Sequence, residues 1–359
     1  MIAACILTRD SARTIRHCIE AIRPAVDEIV VVDTGSYDET VPIVESLGLS
    51  VYHFDWIDDF SAARNYAHSL ATHDWIIAVD SDETLHPDDV QKLRDVVFAS
   101  TPEVVFGITQ VNYLVSGDIG NQHGTARIYN RTAGRWIYRA HEQLSVNGIV
   151  PHTTPSVIRL LHDGYNKQKV STYDKAMRNV RLLRLDVDEH PNDWSRHFFL
   201  GRDSLETANN EDAIAHLRIA VQMLESSNHH TEHPVVYRTL AMAYEASAYF
   251  DDAQTVTQKM TELFPNYPDG HYLHSRLIIR RIEKLLKEAK SAMERAKQTA
   301  QSYSGQEVTD EAIATWKGDM TLGDLAKLRG DVRTARAFYQ SALELGGPVQ
   351  PLTDAIRRL

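Results

Sequence analysis

Residues 74–85 read DWIIAVDSDETL. Four apolar residues, Ile76, Ile77, Ala78 and Val79, run straight into Asp80, Ser81, Asp82 and Glu83, so a strand without a polar face ends in three carboxylates. A continuous apolar run marks a strand covered on both faces, as in parallel sheets, whereas a half-solvated antiparallel strand alternates. The same pattern recurs upstream. Ile2–Thr8, residues 28–33 (EIVVVD) and residues 51–54 read as strands, and residues 12–22, 40–47 and 60–71 read as the helices between them. Strands alternating with helices predict an α/β fold, a Rossmann-like domain with a mostly parallel sheet. From 104 to about 155 the runs shorten and alternate, as in VVFGITQVNYLV and ARIYN, which predicts added antiparallel strands.

After residue 173 the strands stop. AMRNVRLLRLDV, EDAIAHLRIAVQML, VVYRTLAMAYEA and DDAQTVTQKMTELF place apolar residues at helical spacing. NNEDAIAHLRIAV, YFDDAQTVTQKM and RGDVRTARAFYQSAL each set an acidic turn before a small residue, Ala213, Ala253 and Ala335, at intervals of 40 and 82. The second interval is about twice the first, which predicts one degraded repeat between them and about four helical pairs in all. Residues 298–307 (QTAQSYSGQE) read as a loop. The organisation expected is a catalytic domain over 1–170 and an all-α, tetratricopeptide-like repeat domain over 171–359.

At 359 residues the chain can bury two cores, and 43% hydrophobic with 24% charged residues is ordinary globular composition. A net charge of -11 argues against a nucleic-acid partner, which calls for excess Lys and Arg. No apolar run approaches the length of a membrane span, so no integral membrane segment is expected. MIAACILTRD is too short, and lacks the basic start, for a signal peptide. Cys5 and Cys18 lack metal-ligand spacing and read as inert packing thiols, which fits a reducing cytoplasm.

In an open parallel sheet, ligands bind beyond the carboxyl ends of the strands. Thr8-Arg9-Asp10, Asp33-Thr34-Gly35-Ser36 and Asp80-Ser81-Asp82-Glu83 all fall at such ends and share one rim. Carboxylates spaced D-x-D repel unless a cation lies between them, and oxygen ligands with an open sphere suit Mg²⁺ or Mn²⁺ shared with substrate phosphates. A solvated turn carries the same motif, but not usually at the end of a buried strand. Asp33 can accept the imide N–H of a uracil, or form an Asx-turn. No G-x-G-x-x-G follows the strands, which counts against a dinucleotide enzyme.

In order and spacing, ACILTRDSARTIRHCIEAI, VDEIVVVDTGSYDET, FDWIDDFSAARNYA and DWIIAVDSDE resemble glycosyltransferase family two with the GT-A fold. The whole chain is similar to a bacterial branch of it with a tetratricopeptide-like tail, which includes sublancin-type peptide S-glycosyltransferases. The resemblance implies that Thr8 and Asp33 hold the nucleotide base, that Arg64 approaches a uridine diphosphate, and that Asp80 faces ribose or metal while Asp82 binds the metal; Ser81 lies between them. It also implies an inverting mechanism, with a base near the acceptor. Where many relatives have Asn-Glu this chain has Arg9-Asp10, and no E-D pair stands at the place of the usual base.

Instead Arg139-Ala140-His141-Glu142 and Leu161-His162-Asp163-Gly164-Tyr165 resemble segments of the tailed branch. Glu142 is the first candidate base and Asp163 the second. His162 is a candidate metal ligand, His141 a candidate contact to the base or diphosphate, and Arg127 a candidate for sugar or phosphates. Trp56 and Trp136 either stack on a sugar or belong to the core.

The function expected is a metal-dependent transfer from a UDP-sugar donor, UDP-glucose or UDP-N-acetylglucosamine in type, to a peptide or protein side chain. The tail then recognises the acceptor or forms a homodimer. The alternatives are a tetratricopeptide-type scaffold with an inactive sugar-nucleotide domain, or a saccharide or lipid acceptor.

Overall fold

The computed structural model describes residues 1–98, 100–113, 119–162, 172–227 and 232–359. These form two compact units, residues 1–230 and 231–359.

The first unit begins with β1 (Ile2–Thr8), α1 (Ile15–Ile22), β2 (Glu28–Asp33), α2 (Thr40–Ser46), β3 (Val51–His53), α3 (Phe60–Leu70) and β4 (Trp75–Asp80). β5 (Glu83–Leu85), α4 (Val90–Phe98), β6 (Phe106–Tyr113), β7 (Ile119–Asn130), β8 (Gly134–Ile137), β9 (Gln143–Val146) and β10 (Thr154–His162) follow. α5 (Thr172–Glu189), α6 (Trp194–Glu206) and α7 (Asn210–Glu225) complete it.

Eight strands form one sheet in the order β3-β2-β1-β4-β7-β6-β10-β5, and β8 pairs β9 apart from it. β1, β2, β3 and β4 are parallel, as their unbroken apolar runs require. Ile2, Ala4 and Ile6 pack with Ile15, Ile19 and Ile22 of α1, while Ala3 and Cys5 face Ala67 of α3 across the sheet. Both faces of β1 are therefore core. Cys5 and Cys18 are free and buried, and burial pushes the Cys5 thiol up to about 12, as expected of packing residues.

β6 and β7 are antiparallel, but β10 runs parallel to β6 and antiparallel to β5. Register sets Thr8 beside Asp33, Leu7 beside Asp80, and His162 between Glu83 and Asn112. The ends of distant segments thus meet on one rim.

β10 is locked by Asp89, which is fully buried. Its oxygens accept from Arg159 Nε at 2.8 Å, Nη2 at 2.8 Å and backbone N–H at 2.9 Å, and from Lys92 Nζ at 2.6 Å. Burial raises the carboxyl's pKa, but Arg159 and Lys92 overcome it and hold it well below the usual range. A depressed carboxylate stabilises the fold above its unfolded pKa near 4, and the contribution is lost as pH falls through the folded value. Asp89→Asn is expected to cost about 2 kcal/mol at neutral pH, shrinking below about pH 4. Denaturant unfolding at both pH values measures this.

The first compact unit passes residue 170, where the sequence placed the catalytic boundary, because α5 and α6 hold the segment before β9. Buried Asp186 of α5 accepts from the backbone N–H of Arg139 at 2.9 Å and of Ala140 at 3.4 Å. Arg196 of α6, fully buried, donates to the Ala140 carbonyl at 3.1 Å and lies 3.6 Å over the Tyr138 ring.

The second unit is helical: α8 (Pro234–Ala246), α9 (Phe250–Leu263), α10 (Pro268–Ser302), α11 (Trp316–Leu328), α12 (Val332–Glu344) and α13 (Val349–Arg357). Ala213 of α7, Ala253 of α9 and Ala335 of α12 are fully buried, as small residues at helix crossings should be. The degraded repeat is corrected to one helix, α10, of 35 residues. Residues 278–302 hold no Gly or Pro and are rich in strong helix formers, so nothing makes the turn of a helical pair. The loop expected at 298–307 begins only after Ser302.

Candidate active site

The carboxylates of DWIIAVDSDETL part company as soon as β4 ends. Asp80 Oδ1 accepts from Arg64 Nη2 at 2.8 Å and Oδ2 from Arg127 Nη2 at 2.6 Å. Arg127 also reaches Glu83 Oε1 at 3.1 Å, and Arg64 Nε donates to Glu142 Oε1 at 2.7 Å. Two buried guanidiniums from α3 and β7 thereby bridge three carboxylates, and Glu83, fully buried, accepts from the backbone N–H of Asp80 at 2.9 Å. Burial pushes Glu83 up to about 7 despite Arg127. Burial would also raise Asp80, but Arg127 and then Arg64 hold it well below the usual range. Glu142 is likewise lowered, its burial outweighed by Arg64.

Asp82 turns the other way. Its Oδ2 lies 3.2 Å from His162 Nε2, while His162 Nδ1 meets Asn112 Oδ1 at 2.7 Å. Burial lowers the imidazole's pKa, and the bond to Asp82 with its charge raises it above the ordinary value. Both oxygens of Asp80 being engaged by arginines, Asp82 and His162 are the pair whose donor atoms converge. Among the described residues no cluster of three or more His, Cys, Asp or Glu could hold a metal ion, so a cation there would need further oxygens from a ligand. A carboxylate and an imidazole with open positions suit Mg²⁺ or Mn²⁺ shared with a diphosphate.

Of these groups Arg64, Asp80, Asp82, Glu142 and His162 line a cleft of ≈ 610 Å³ with Thr8, Ser81, Trp56 and His141. Ser81 Oγ meets Ser11 Oγ at 2.8 Å. Thr8 Oγ1 is buried and has no hydrogen-bond partner among the described residues. An unsatisfied hydroxyl in a cleft wall is costly unless a ligand meets it. Asp33 takes its other role: its oxygens accept from the N–H of Gly35 at 3.1 Å and of Ser36 at 3.0 Å and from Ser36 Oγ at 2.5 Å. Gly35, at φ 104°, makes this turn possible. Asp33 is 3% exposed and is not among the cleft-lining residues.

His141 Nε2 lies 2.7 Å from Asp203 Oδ2, and the ring stacks 4.7 Å from Phe199, so α6 fixes it. Tyr138 and His141 have φ of 74° and 49°, backbone strain of the kind that collects at functional sites. Trp136 is 4% exposed, donates to Tyr129 Oη at 2.9 Å and packs as core beneath Arg64. It borders a smaller cavity of ≈ 320 Å³ that shares Arg64, Asp80 and Glu142 with the cleft. Asp163 lies outside the described residues.

Sequence reasoning missed Lys175, Arg178 and Asn179 of α5, which line the cleft opposite the strand ends. The signal was present: Lys175 and Arg178 stand one helical turn apart on a helix otherwise read only for its apolar face.

A TPR repeat-containing protein of Synechococcus elongatus is 31% identical over 202 residues, 54% of this chain and 49% of that one. The SPbeta prophage-derived glycosyltransferase SunS of Bacillus subtilis is 24% identical over 282 residues, 76% of this chain and 66% of that one. The chain thus spans about half to two thirds of the length of these relatives. Among solved structures, S. aureus TarS 1-349 in complex with UDP-GlcNAc is 13% identical at a TM-score of 0.40, covering 74% of this chain and 92% of that one. Glucosyl-3-phosphoglycerate synthase from Mycobacterium tuberculosis, in complex with Mn²⁺ and UDP-glucose, is 21% identical at a TM-score of 0.27, covering 33% and 44%. Residues 3–180, which carry the whole sheet, the arginine-bridged carboxylates and the start of α5, match the model for glycosyl transferase family 2, and the chain belongs to that family.

Proposed function

We propose that this chain moves a sugar from a UDP-sugar, of the UDP-glucose or UDP-N-acetylglucosamine type, to a nucleophilic side chain of a peptide or protein, with inversion at the anomeric carbon. The observation that carries this reading is the division of labour at the end of β4: Asp80 fixes Arg64, which lines the cleft, and Arg127, which lines the smaller cavity beside it, while Asp82 and His162 converge in the cleft. Asp82 and His162 would hold a divalent cation, which when bound supplies charge stabilisation to the departing diphosphate. Lys175 and Arg178, on the facing helix, add positive charge for the same phosphates. Thr8 Oγ1 supplies an unspent hydrogen bond to the nucleotide. The peptide or protein acceptor rests on the similarity to tailed members of the family and on the helical second unit, since helical repeats suit extended chains.

Glu142 serves as the base. Arg64 keeps it ionised and orients it in the wall that the cleft shares with the smaller cavity. Glu142→Gln is expected to lower kcat by about 10²-fold or more with donor affinity kept within a few-fold, read from steady-state kinetics beside calorimetry. Thr8→Val keeps the shape and deletes the unpartnered hydroxyl. Its melting temperature should hold or rise, while UDP affinity falls by about fivefold to tenfold.

The deciding experiment is calorimetry with UDP and UDP-sugars, with and without Mn²⁺. Metal-dependent binding supports the enzyme. A cleft that binds no nucleotide sugar under either condition would leave a helical scaffold with an inactive sugar-nucleotide domain.

A further inference from the structure

The smaller cavity of ≈ 320 Å³ adjoins the cleft without sharing its phosphate groups. The two spaces meet along Arg64, Asp80 and Glu142, whereas Asp82, His162, Lys175 and Arg178 line the cleft alone. The side chains of Asp80 and Glu142 are 35% and 17% exposed, so this shared edge is open to a ligand. An apolar cavity of about 150 Å³ holds a benzene, which sets about 25 Å³ for each non-hydrogen ligand atom. On that scale the roughly 25 such atoms of UDP fill the cleft of ≈ 610 Å³. The smaller cavity then has room for about 13 more, against about 11 in a hexosyl group and about 14 in an N-acetylhexosaminyl group.

Its lining is divided in character. Asp80, Glu142 and Arg127 give it a charged end, where carboxylate oxygens keep lone pairs beyond those the arginines use and can accept from sugar hydroxyls. Ala126, Trp136, Leu144, Val150 and Pro151 make the rest apolar. A β-bulge shapes this wall. Phe106 pairs with Ile128 but Gly107 with Ala126, so Arg127 is an extra residue in β7, and the broken alternation brings Ala126 and Arg127 to the same cavity. Thr125, next in the wall, has its Oγ1 buried with no hydrogen-bond partner among the described residues. A bare hexose would lay hydroxyls against apolar atoms here and leave them unpaired. An acetamido group suits the wall better, because its methyl is apolar and its carbonyl takes one donor.

We propose that this cavity holds the donor's sugar and selects a 2-acetamido-2-deoxyhexose over the parent hexose, with Thr125 Oγ1 donating to the acetamido carbonyl and the apolar wall receiving the methyl. This rests on the sugar transfer proposed above and narrows its donor. An apolar side chain of the acceptor would also fit the wall, but it would leave Thr125 Oγ1 unpaired and set apolar atoms against the charged end.

Calorimetry on the full chain with Mn²⁺ tests this, with UDP as the reference ligand beside UDP-glucose, UDP-N-acetylglucosamine, UDP-galactose and UDP-N-acetylgalactosamine. Each acetamido sugar is expected to bind about tenfold or more tighter than its parent hexose, the gain from one methyl and one hydrogen bond. The tighter of the two acetamido donors identifies the configuration at C4. Thr125→Val keeps the shape and deletes the donor, and should shrink the acetamido preference about fivefold or more. Val150, 46% exposed at the edge of the cavity, offers a second variant that spares the core: Val150→Phe should lower the affinity of the acetamido sugars relative to UDP about tenfold. A wild type that binds hexose and acetamido donors equally, or prefers the hexoses, overturns the proposal. So does a preference that neither variant moves, which would leave the cavity to the acceptor. A chain that binds UDP without any acetamido preference sinks this inference and leaves the proposed activity standing, whereas a chain that does not bind UDP at all sinks both.

Discussion

Replacing Arg64 with alanine is expected to lower the stability of the first unit by about 3 kcal/mol, or about 10 °C in its melting transition, and to abolish donor binding with it. Its side chain is 8% exposed and pairs with both Asp80 and Glu142. Its burial opposes the charge, yet those two carboxylates keep it protonated. Without it Glu142 loses its cation, and Asp80 is left with Arg127 alone. Arg64→Lys separates the two effects. A lysine restores a positive charge but cannot send Nε to one carboxylate and Nη2 to the other, so part of the stability should return while the geometry of Asp80 and Glu142 does not. Calorimetric melting beside UDP titration measures both. An Arg64→Ala protein that melts like the wild type would show that the bridge is ornamental.

Asp82→Ala is expected to have the opposite profile. Asp82 is 36% exposed and its bond to His162 is solvent-facing, so the melting transition should move by no more than that of an ordinary surface substitution. The Mn²⁺-dependent part of UDP-sugar binding should vanish, and kcat/KM should fall by on the order of 10²-fold or more. His162→Ala should behave alike, because it offers the other converging atom. If Asp82→Ala keeps metal-dependent binding, the cation sits elsewhere and Asp80 regains its candidacy. Two aspartates two residues apart are thus distinguished by what fails: the fold and the site through Asp80's arginine, the site alone through Asp82.

The α/β order of the first unit was legible because burial on both faces leaves no polar residue in the interior of β1, β2 or β4, and a strand end is where such a run must turn polar. The helical second half was legible from its period and from the small residues at Ala213, Ala253 and Ala335. α10 was not, because the expected repeat was extrapolated from spacing, while the residues between contain nothing that breaks a helix. Asp33 divided two roles that one carboxylate can play, and local hydrogen bonds from Gly35 and Ser36 decided for the turn. Lys175 and Arg178 were passed over because a helix was read for its core stripe only.

By itself the sequence determined the class of fold, the rim on which the polar strand ends gather, and the D-x-D, because each follows from side-chain polarity along a few neighbouring residues. Tertiary structure alone decided which carboxylate meets which cation. Asp80 meets Arg64 from α3 and Arg127 from β7, Asp82 meets His162 because β10 lies parallel to β6 and beside β5, and Glu142 is positioned by helices past residue 170. Each is a pairing across long stretches of chain, set by strand order and burial, and no local pattern encodes it.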